Sequence, residues 1–122
     1  MYNIHLTRKA IIPRLLEEMN LPLKAERASM ILVDFEQYLR EQRIVVYRLD
    51  ESHVRAMIIG KADAYRVQVD LHRKWFYCTC PHRRFRKALC KHVLITLELY
   101  AYLTKGYEKV AGLLRAHQEK II

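Results

Sequence analysis

The sequence predicts an α+β fold with N-terminal helices, a small antiparallel β-meander, a Cys/His site joining the last strand to a helix, and a C-terminal helix. Three observations lead to this class. Apolar residues recur at steps of three and four over residues 23–42, whereas apolar and polar residues alternate over residues 65–71. All three cysteines of the 122-residue chain lie between a β-rich segment and an apolar helical segment. A helical period, a strand period and clustered ligand side chains together define the class.

The N-terminal part of the chain is predicted to form two helices. The first lies within residues 7–20 and begins near Ile12, because proline, here Pro13, is tolerated in the first turn of a helix. It ends before Pro22, since proline restricts the residue that precedes it. The second, residues 23–42, has an apolar stripe opposite a charged face. The stripe consists of Ala25, Ala28, Ile31, Leu32, Phe35, Tyr38 and Leu39.

Strand chemistry follows over residues 43–77. Four β-rich runs are separated by breaks of only a few residues rich in charged, polar or glycine positions. Such short connections exclude the crossovers that parallel strands need, so the runs are predicted to form an antiparallel meander. The predicted strands are residues 44–47, 54–59, 65–71 and 75–77.

Two more helices are predicted after the cysteines. The first carries the apolar set Val93, Leu94, Leu97, Tyr100, Ala101 and Leu103, packs on the sheet and ends near Gly106. The second, residues 107–120, carries Val110, Leu113 and Leu114. Packing against the helix at 23–42 accounts for this last apolar set. An exposed Leu113/Leu114 surface for a homodimer or another protein is the alternative.

Four side chains in the central stretch form a complete donor set for a tetrahedral zinc ion. Cys78, Cys80, Cys90 and His92 follow the spacing C-x-C, nine residues, C-x-H. Three thiolates and one imidazole match a closed structural zinc site, whereas a catalytic zinc keeps one position open. Cys78 and Cys80 share a parity on an extended chain. Cys90 and His92 fall in the first turn of a helix, where the helix dipole favours thiolate charge.

Other chemistries for these residues remain open at the level of sequence. An odd cysteine count leaves one thiol outside any disulfide, and a Cys78–Cys80 bridge would be strained. A Cys–His catalytic pair would leave two cysteines without a role. Buried cysteines that act only as small apolar residues are a further alternative. His82, inside the loop, competes with His92 as the fourth ligand.

The net charge of +9 is concentrated around the predicted site. Residues 61–92 carry nine basic and two acidic side chains, and the flanking segments are nearly balanced. A basic surface attracts phosphate backbones, so nucleic acid, in particular DNA, is the predicted partner. Some of these charges could instead offset the negative charge of three thiolates around one divalent ion. The predicted nucleic-acid contacts are Arg73, Lys74, Arg83, Arg84, Arg86, Lys87 and Lys91.

The motif from Cys78 to His92, with the strands before it and the helix after it, resembles the SWIM zinc finger. The resemblance covers residues 43–104, although Ala88-Leu89 stands where family members often carry Gly-Pro. It implies one structural Zn²⁺ held by Cys78, Cys80, Cys90 and His92. It also implies DNA binding or a protein–protein adaptor role in recombination, repair or transcription complexes. In an adaptor, the helices at 23–42 and 107–120 would be the partner surface. A RecA-family paralogue is one partner that the resemblance implies.

Length, composition and motifs limit the domain organisation, the type of activity and the cellular compartment that fit this sequence. A chain of 122 residues is expected to form one compact domain, with a helical segment at 1–42, the finger at 43–104 and a last helix at 105–122. No phosphate-binding loop, H-E-x-x-H motif or catalytic carboxylate pair occurs, so we expect no enzymatic activity. No apolar run of about eighteen residues occurs and the N-terminus does not fit a signal peptide. With reduced cysteines, these features favour the cytoplasm, or the nucleus in a eukaryote.

Overall fold

The computed structural model describes residues 10–21, 25–81 and 89–120, and it confirms the predicted α+β class. The described elements are four α-helices, four antiparallel strands and one 3₁₀ turn. Their bounds are α1 Ile11–Glu18, α2 Ala25–Arg40, β1 Ile44–Leu49, β2 His53–Ile59, β3 Ala64–Asp70, β4 Trp75–Cys78, α3 Lys91–Thr104, α4 Tyr107–Ala116 and the turn Gln118–Lys120. None of the described helices is both long and apolar enough to cross a membrane.

The N-terminal helices begin and end for reasons that their sequences supply. Pro13 lies in the first turn of α1, as predicted. Asn20 then adopts a left-handed conformation, with φ of 56°, and the Leu21 amide donates to the Leu16 carbonyl at 2.9 Å. This is the usual way in which a left-handed residue closes a helix C-terminus. Helix α2 ends in the same manner, because Gln42 has a φ of 55°.

The sheet is a meander in the order β1-β2-β3-β4, and every neighbouring pair is antiparallel. Strand β1 is longer than the sequence predicted, since it continues through Arg48 and Leu49. The register between β1 and β2 shifts between Val46 and Arg48, so one additional residue interrupts the alternation there. The predicted strand, residues 44–47, therefore stopped at this irregularity. In the structure, pairing resumes beyond it, with Arg48 opposite Arg55.

Helix α3 is the centre of the core. Its residues from Val93 to Ala101 are all buried, and the helix packs against β2, β3, β4 and the other three helices. Its C-terminus has a left-handed Lys105, with φ of 58°, and not the expected glycine; Gly106 has a φ of −79°. Helix α3 therefore ends where the sequence predicted, but a different residue terminates it.

Helix α4 differs from the prediction in its end and in its neighbours. It stops at Ala116, and the 3₁₀ turn follows. It packs chiefly against α1 and α3 rather than α2, and Leu113 and Leu114 are fully buried. The ring of His117 then contacts Phe76 edge-on, with centroids 4.9 Å apart, and its Nε2 lies 2.7 Å from the Lys74 carbonyl. These contacts attach the end of the chain to the β3–β4 turn.

Candidate metal centre

The first two candidate ligands lie at the end of β4. Cys78 is the last residue of the strand, pairs with Val67 of β3 and projects into the core. Between the cysteines, Thr79 is fixed to β3, because its amide donates to the Arg66 carbonyl at 3.1 Å and its Oγ1 accepts from the Arg66 amide at 3.0 Å. These two bonds keep the chain extended past the strand, so Cys78 and Cys80 are both directed into the core.

The other two candidate ligands lie at the start of α3. Cys90 is the N-cap residue, with φ of −73° and ψ of 169°, and its carbonyl accepts from the Leu94 amide at 3.0 Å. His92 follows in the first turn. The N-terminal end of a helix carries partial positive charge and unpaired amides, both of which favour a thiolate at Cys90.

The fold brings all four donors together, as the sequence predicted. Their ligand atoms lie within 4.8 Å of one another, the three cysteines are buried and His92 is half-buried. Sulfur atoms bound to zinc at about 2.3 Å in a tetrahedron would be separated by about 3.8 Å. The observed spacing therefore needs only a contraction of about 1 Å to close around an ion.

One atom of the cluster lacks a hydrogen-bond partner in the described structure. The Nδ1 atom of His92 is buried and accepts or donates no hydrogen bond there. The imidazole packs against the ring of Tyr65, with centroids 4.5 Å apart. Buried polar atoms are nearly always paired, so an unpaired nitrogen beside three thiols is the arrangement expected of a metal ligand. The residues present fit a metal ion.

Two thiols of the cluster are coupled. The hydrogen bond from Cys78, opposed by burial and assisted by hydrogen bonds from the His92 side chain and the Val93 amide, lowers the pKa of Cys90 below its ordinary value. The same hydrogen bond and burial raise the pKa of Cys78. Cys90 is therefore the first of the pair to become a thiolate. A divalent cation would remove the competition between them, since metal binding deprotonates a coordinating thiol.

The cluster is less suited to the other chemistries that the sequence left open. All three cysteines are free thiols. Each is only 2% exposed, whereas reactive cysteines are partly accessible to solvent. Cysteines that serve only as small apolar residues would not require a half-buried imidazole with a buried, unpaired Nδ1 atom in the same cluster.

Lys91, a predicted nucleic-acid contact, lies next to the cluster and is paired. Its Nζ atom lies 3.2 Å from Oδ2 of Asp34 on α2 and 6.0 Å from the ring centroid of Tyr38. Partial burial opposes the shift, but the hydrogen bond and charge of Asp34 raise the pKa of Lys91. The ammonium group therefore links α3 to α2 at the edge of the cluster.

The structure places Arg73 and Lys74 at the far end of β4 from the cluster. Both are exposed on the turn that precedes the strand, whereas the ligands follow its other end. Four residues of extended chain separate Lys74 from Cys78, a span of about 13 Å. These two side chains therefore do not border the candidate metal site.

The remaining predicted contacts lie outside the described residues. They are Arg83, Arg84, Arg86 and Lys87, together with Phe85 and the rival ligand His82. The structure therefore leaves these assignments as predictions from sequence.

Two supporting residues were missed by sequence reasoning. Tyr65 was interpreted only as one apolar position of β3, and its contact with His92 depends on how α3 lies on the sheet.

Glu98 is the second of these residues. An acidic residue within an otherwise apolar helix was the sequence feature that could have indicated its role. It is 4% exposed, and its carboxylate accepts from the Ile11 amide at 2.7 Å and the Ile12 amide at 2.9 Å. Glu98 thus caps the N-terminus of α1 from the neighbouring helix.

The chain was compared with models of protein families, with curated proteins and with solved structures, and none of them matches it. The resemblance to SWIM fingers therefore depends on ligand spacing and on the order of strand, loop and helix.

Proposed function

We propose that this chain is a SWIM-like module in which a structural zinc ion supports nucleic-acid binding, with DNA as the favoured ligand. The convergence of Cys78, Cys80, Cys90 and His92 within 4.8 Å is the observation that carries the metal part of the proposal. The C-x-C and C-x-H pairs come from a strand end and a helix start, which is the order that the SWIM resemblance implies.

The role proposed for zinc is to join two elements. Cys78 and Cys80 would hold it from the end of β4, and Cys90 and His92 from the start of α3. Four protein ligands complete a tetrahedral ion, so the site would have no open position for a substrate. Structural zinc contributes about 10–16 kcal/mol in finger-sized peptides, which is comparable with the net stability of a whole domain.

The nucleic-acid part of the proposal is supported by the concentration of basic residues in one part of the sequence. Residues 61–92 carry nine of the 22 basic side chains and only two of the 13 acidic ones. Three thiolates around a divalent ion leave about one negative charge, which offsets only a fraction of this excess. Since Lys91 is paired with Asp34, the cations available beside the metal would be Arg83, Arg84, Arg86 and Lys87. We refer to these four as the loop cations.

A protein adaptor role, with a RecA-family paralogue as one partner, is the alternative that the SWIM resemblance implies. Its expected surface was the helices at 23–42 and 107–120, and an exposed Leu113/Leu114 patch was the feature that would favour it. Both side chains are buried, so that patch gives the alternative no support, and nucleic-acid binding remains the first proposal.

The test is a fluorescence-anisotropy titration of the zinc-loaded protein with single- and double-stranded DNA at several salt concentrations. We expect log affinity to fall linearly with log salt, because phosphate contacts release counterions. Changing the loop cations together to alanine should weaken binding to both DNA forms and reduce the single-strand slope by up to about 3.

A charge-matched control separates contact from overall charge. Lys105, Lys109, Arg115 and Lys120 are the four basic residues after His92, and changing them together to alanine removes the same charge. This control should retain most of the affinity. Equal losses in both variants would show that only net charge matters, and no binding at low salt would reject the nucleic-acid proposal.

A further inference from the structure

One face of the sheet is not covered by any described element. In an antiparallel pair, residues opposite each other project to the same side of the sheet. The buried side carries Val54, Ala56, Ile58, Val67, Val69, Phe76 and Cys78. The opposite side, here called the open face, carries His53, Arg55, Met57, Ile59, Ala64, Arg66, Gln68, Asp70, Trp75 and Tyr77.

Two aromatic rings of the open face are aligned and accessible. Trp75 is 49% exposed and Tyr77 is 43% exposed. Their rings are nearly parallel, at 4°, with centroids 6.3 Å apart. They are alternate residues of one strand, so the extended backbone of β4 fixes their spacing. About half of each ring is left exposed by the fold, and this adjoining aromatic surface is available to a ligand.

Polar and basic side chains continue from these rings across the sheet. Tyr77 lies opposite Gln68, which lies opposite Arg55, which in turn lies opposite Arg48 on β1. This row crosses all four strands. Arg66 lies on β3, on the same side as Gln68. A groove of about 470 Å³ follows this surface; its lining consists of Arg48, His53, Arg55, Gln68, Val69, Asp70, Arg73 and Trp75.

Both acidic residues at this surface have hydrogen-bonding partners, of which Arg48 is the one with a fixed positive charge. Asp50 lies 3.1 Å from the Arg48 guanidinium and 3.3 Å from the His53 ring, and Asp70 lies 3.2 Å from the other nitrogen of His53. In the described part of the chain, neither Arg55 nor Arg66 forms an ion pair. The open face therefore combines stacked rings with guanidinium groups that remain available to an anionic ligand.

We propose that the open face binds single-stranded nucleic acid, with bases stacked on Trp75 and Tyr77 and phosphates contacted by Arg55 and Arg66. The charge requires an anionic ligand, and the rings require one with exposed flat faces. Bases in a duplex present only their edges, whereas unpaired bases can stack on aromatic side chains. This inference rests on the proposed nucleic-acid function, but it assigns a surface separate from the loop cations and a strand preference that the charge alone does not give.

Trp75 is the only tryptophan of the chain, so its fluorescence reports directly on this surface. We expect an oligothymidylate of about sixteen nucleotides, long enough for one binding surface, to quench it in proportion to binding. An oligomer of the same charge that lacks bases should bind more weakly and should not quench. A hairpin duplex of equal charge should also leave the Trp75 signal nearly unchanged.

Substitutions on the open face sharpen the test. Trp75→Ala and Tyr77→Ala should each weaken oligothymidylate binding by roughly 5- to 150-fold in anisotropy, the range for loss of one stacked base. Trp75→Phe and Tyr77→Phe retain a ring and should retain most of the affinity. Tyr102→Ala, on a 37% exposed aromatic of α3, is the matched control and should bind like the wild type.

The outcomes separate this inference from the proposed function. If DNA binds but Trp75 is not quenched, and Trp75→Ala and Tyr77→Ala bind like the wild type, the open face is not the site and the loop cations remain the candidate. If a protein ligand quenches Trp75 whereas no oligonucleotide does, the inference is likewise wrong. Absence of all DNA binding would reject both.

Discussion

The two faces of β4 differ sharply in their exposure to solvent. Phe76 and Cys78 project inward and are 4% and 2% exposed, whereas Trp75 and Tyr77 project outward and are 49% and 43% exposed. All four belong to one short strand with strict alternation. The inward pair contacts the core and the candidate metal site. The outward pair consists of two large aromatic side chains that the fold leaves about half exposed.

This difference separates the side chains of β4 whose identity is explained by folding from those whose identity is not. The inward side chains are accounted for by packing and by ligand geometry, because removing either would leave a cavity or an incomplete site. Folding gives no comparable reason for a tryptophan and a tyrosine on a solvent-exposed face that also carries arginines. A ligand is the physical reason that we propose, and the comparison predicts opposite responses to mutation on the two sides of the strand.

The largest expected effect follows from loss of the metal on the inward side. Cys90→Ser should release zinc and lower the melting temperature sharply, because the ion would no longer join β4 to α3. The measurements are metal content by mass spectrometry and thermal unfolding by circular dichroism. A strong chelator should destabilise the wild type to the same extent and leave Cys90→Ser unaffected.

A conservative change at a neighbouring position provides the control. Thr79→Ser retains the hydroxyl that accepts from the Arg66 amide and should keep both metal and stability. A purely apolar role for the cysteines predicts instead that Cys90→Ala costs only the modest free energy of a small cavity and that a chelator has no effect. Unchanged melting with retained metal in Cys90→Ser would disprove the structural role.

The next comparison uses adjacent residues of β4. Phe76→Ala should reduce the free energy of unfolding by about 3–5 kcal/mol, the usual cost of removing a buried aromatic ring. Trp75→Ala should cost about 1 kcal/mol or less, because the ring is half exposed and loses mainly its contact with Tyr77. Denaturant unfolding of both variants gives the two values. A Trp75→Ala cost close to that of Phe76→Ala would mean that the outward ring serves stability, and the functional reading of the open face would lose its basis.

Local patterns predicted much of this structure from the sequence. The alternation of residues 65–71 gave β3 its inward and outward sides, and the shared parity of Cys78 and Cys80 placed both thiols on one side. These features depend on backbone geometry within a few residues. The convergence of Cys90 and His92 on that pair was predictable because the donor set and its spacing require a common ion.

The features that were missed depend on tertiary structure. The bulge after Val46 concealed the last residues of β1, since one additional residue reverses the alternation. Arg55 and Tyr77 share a row only through the register of three strands, which no local pattern reveals.

The smallest expected effect concerns Glu98, the charged residue among the buried residues of α3. Burial raises the pKa of Glu98, although the hydrogen bonds from the Ile12 and Ile11 amides oppose the shift. The native state therefore holds the Glu98 proton more tightly than the unfolded state. Its contribution to stability is fully present below the ordinary value of about 4.5 and declines as the pH rises through the raised native pKa.

Glu98→Gln should cost about 1–3 kcal/mol near pH 4.5, because the NH2 group of Gln cannot accept a hydrogen bond and leaves one of the two α1 amides unpaired. The difference between wild type and variant should shrink as the pH rises from 4.5, since only the wild type loses stability through this group. Denaturant unfolding across that range measures the difference, and Glu108→Gln, on an exposed residue of α4, should change stability by less than about 0.5 kcal/mol. A difference that grows with pH would mean that the Glu98 carboxylate is stabilised in the folded state, so that the helix-capping bonds outweigh burial even in the core.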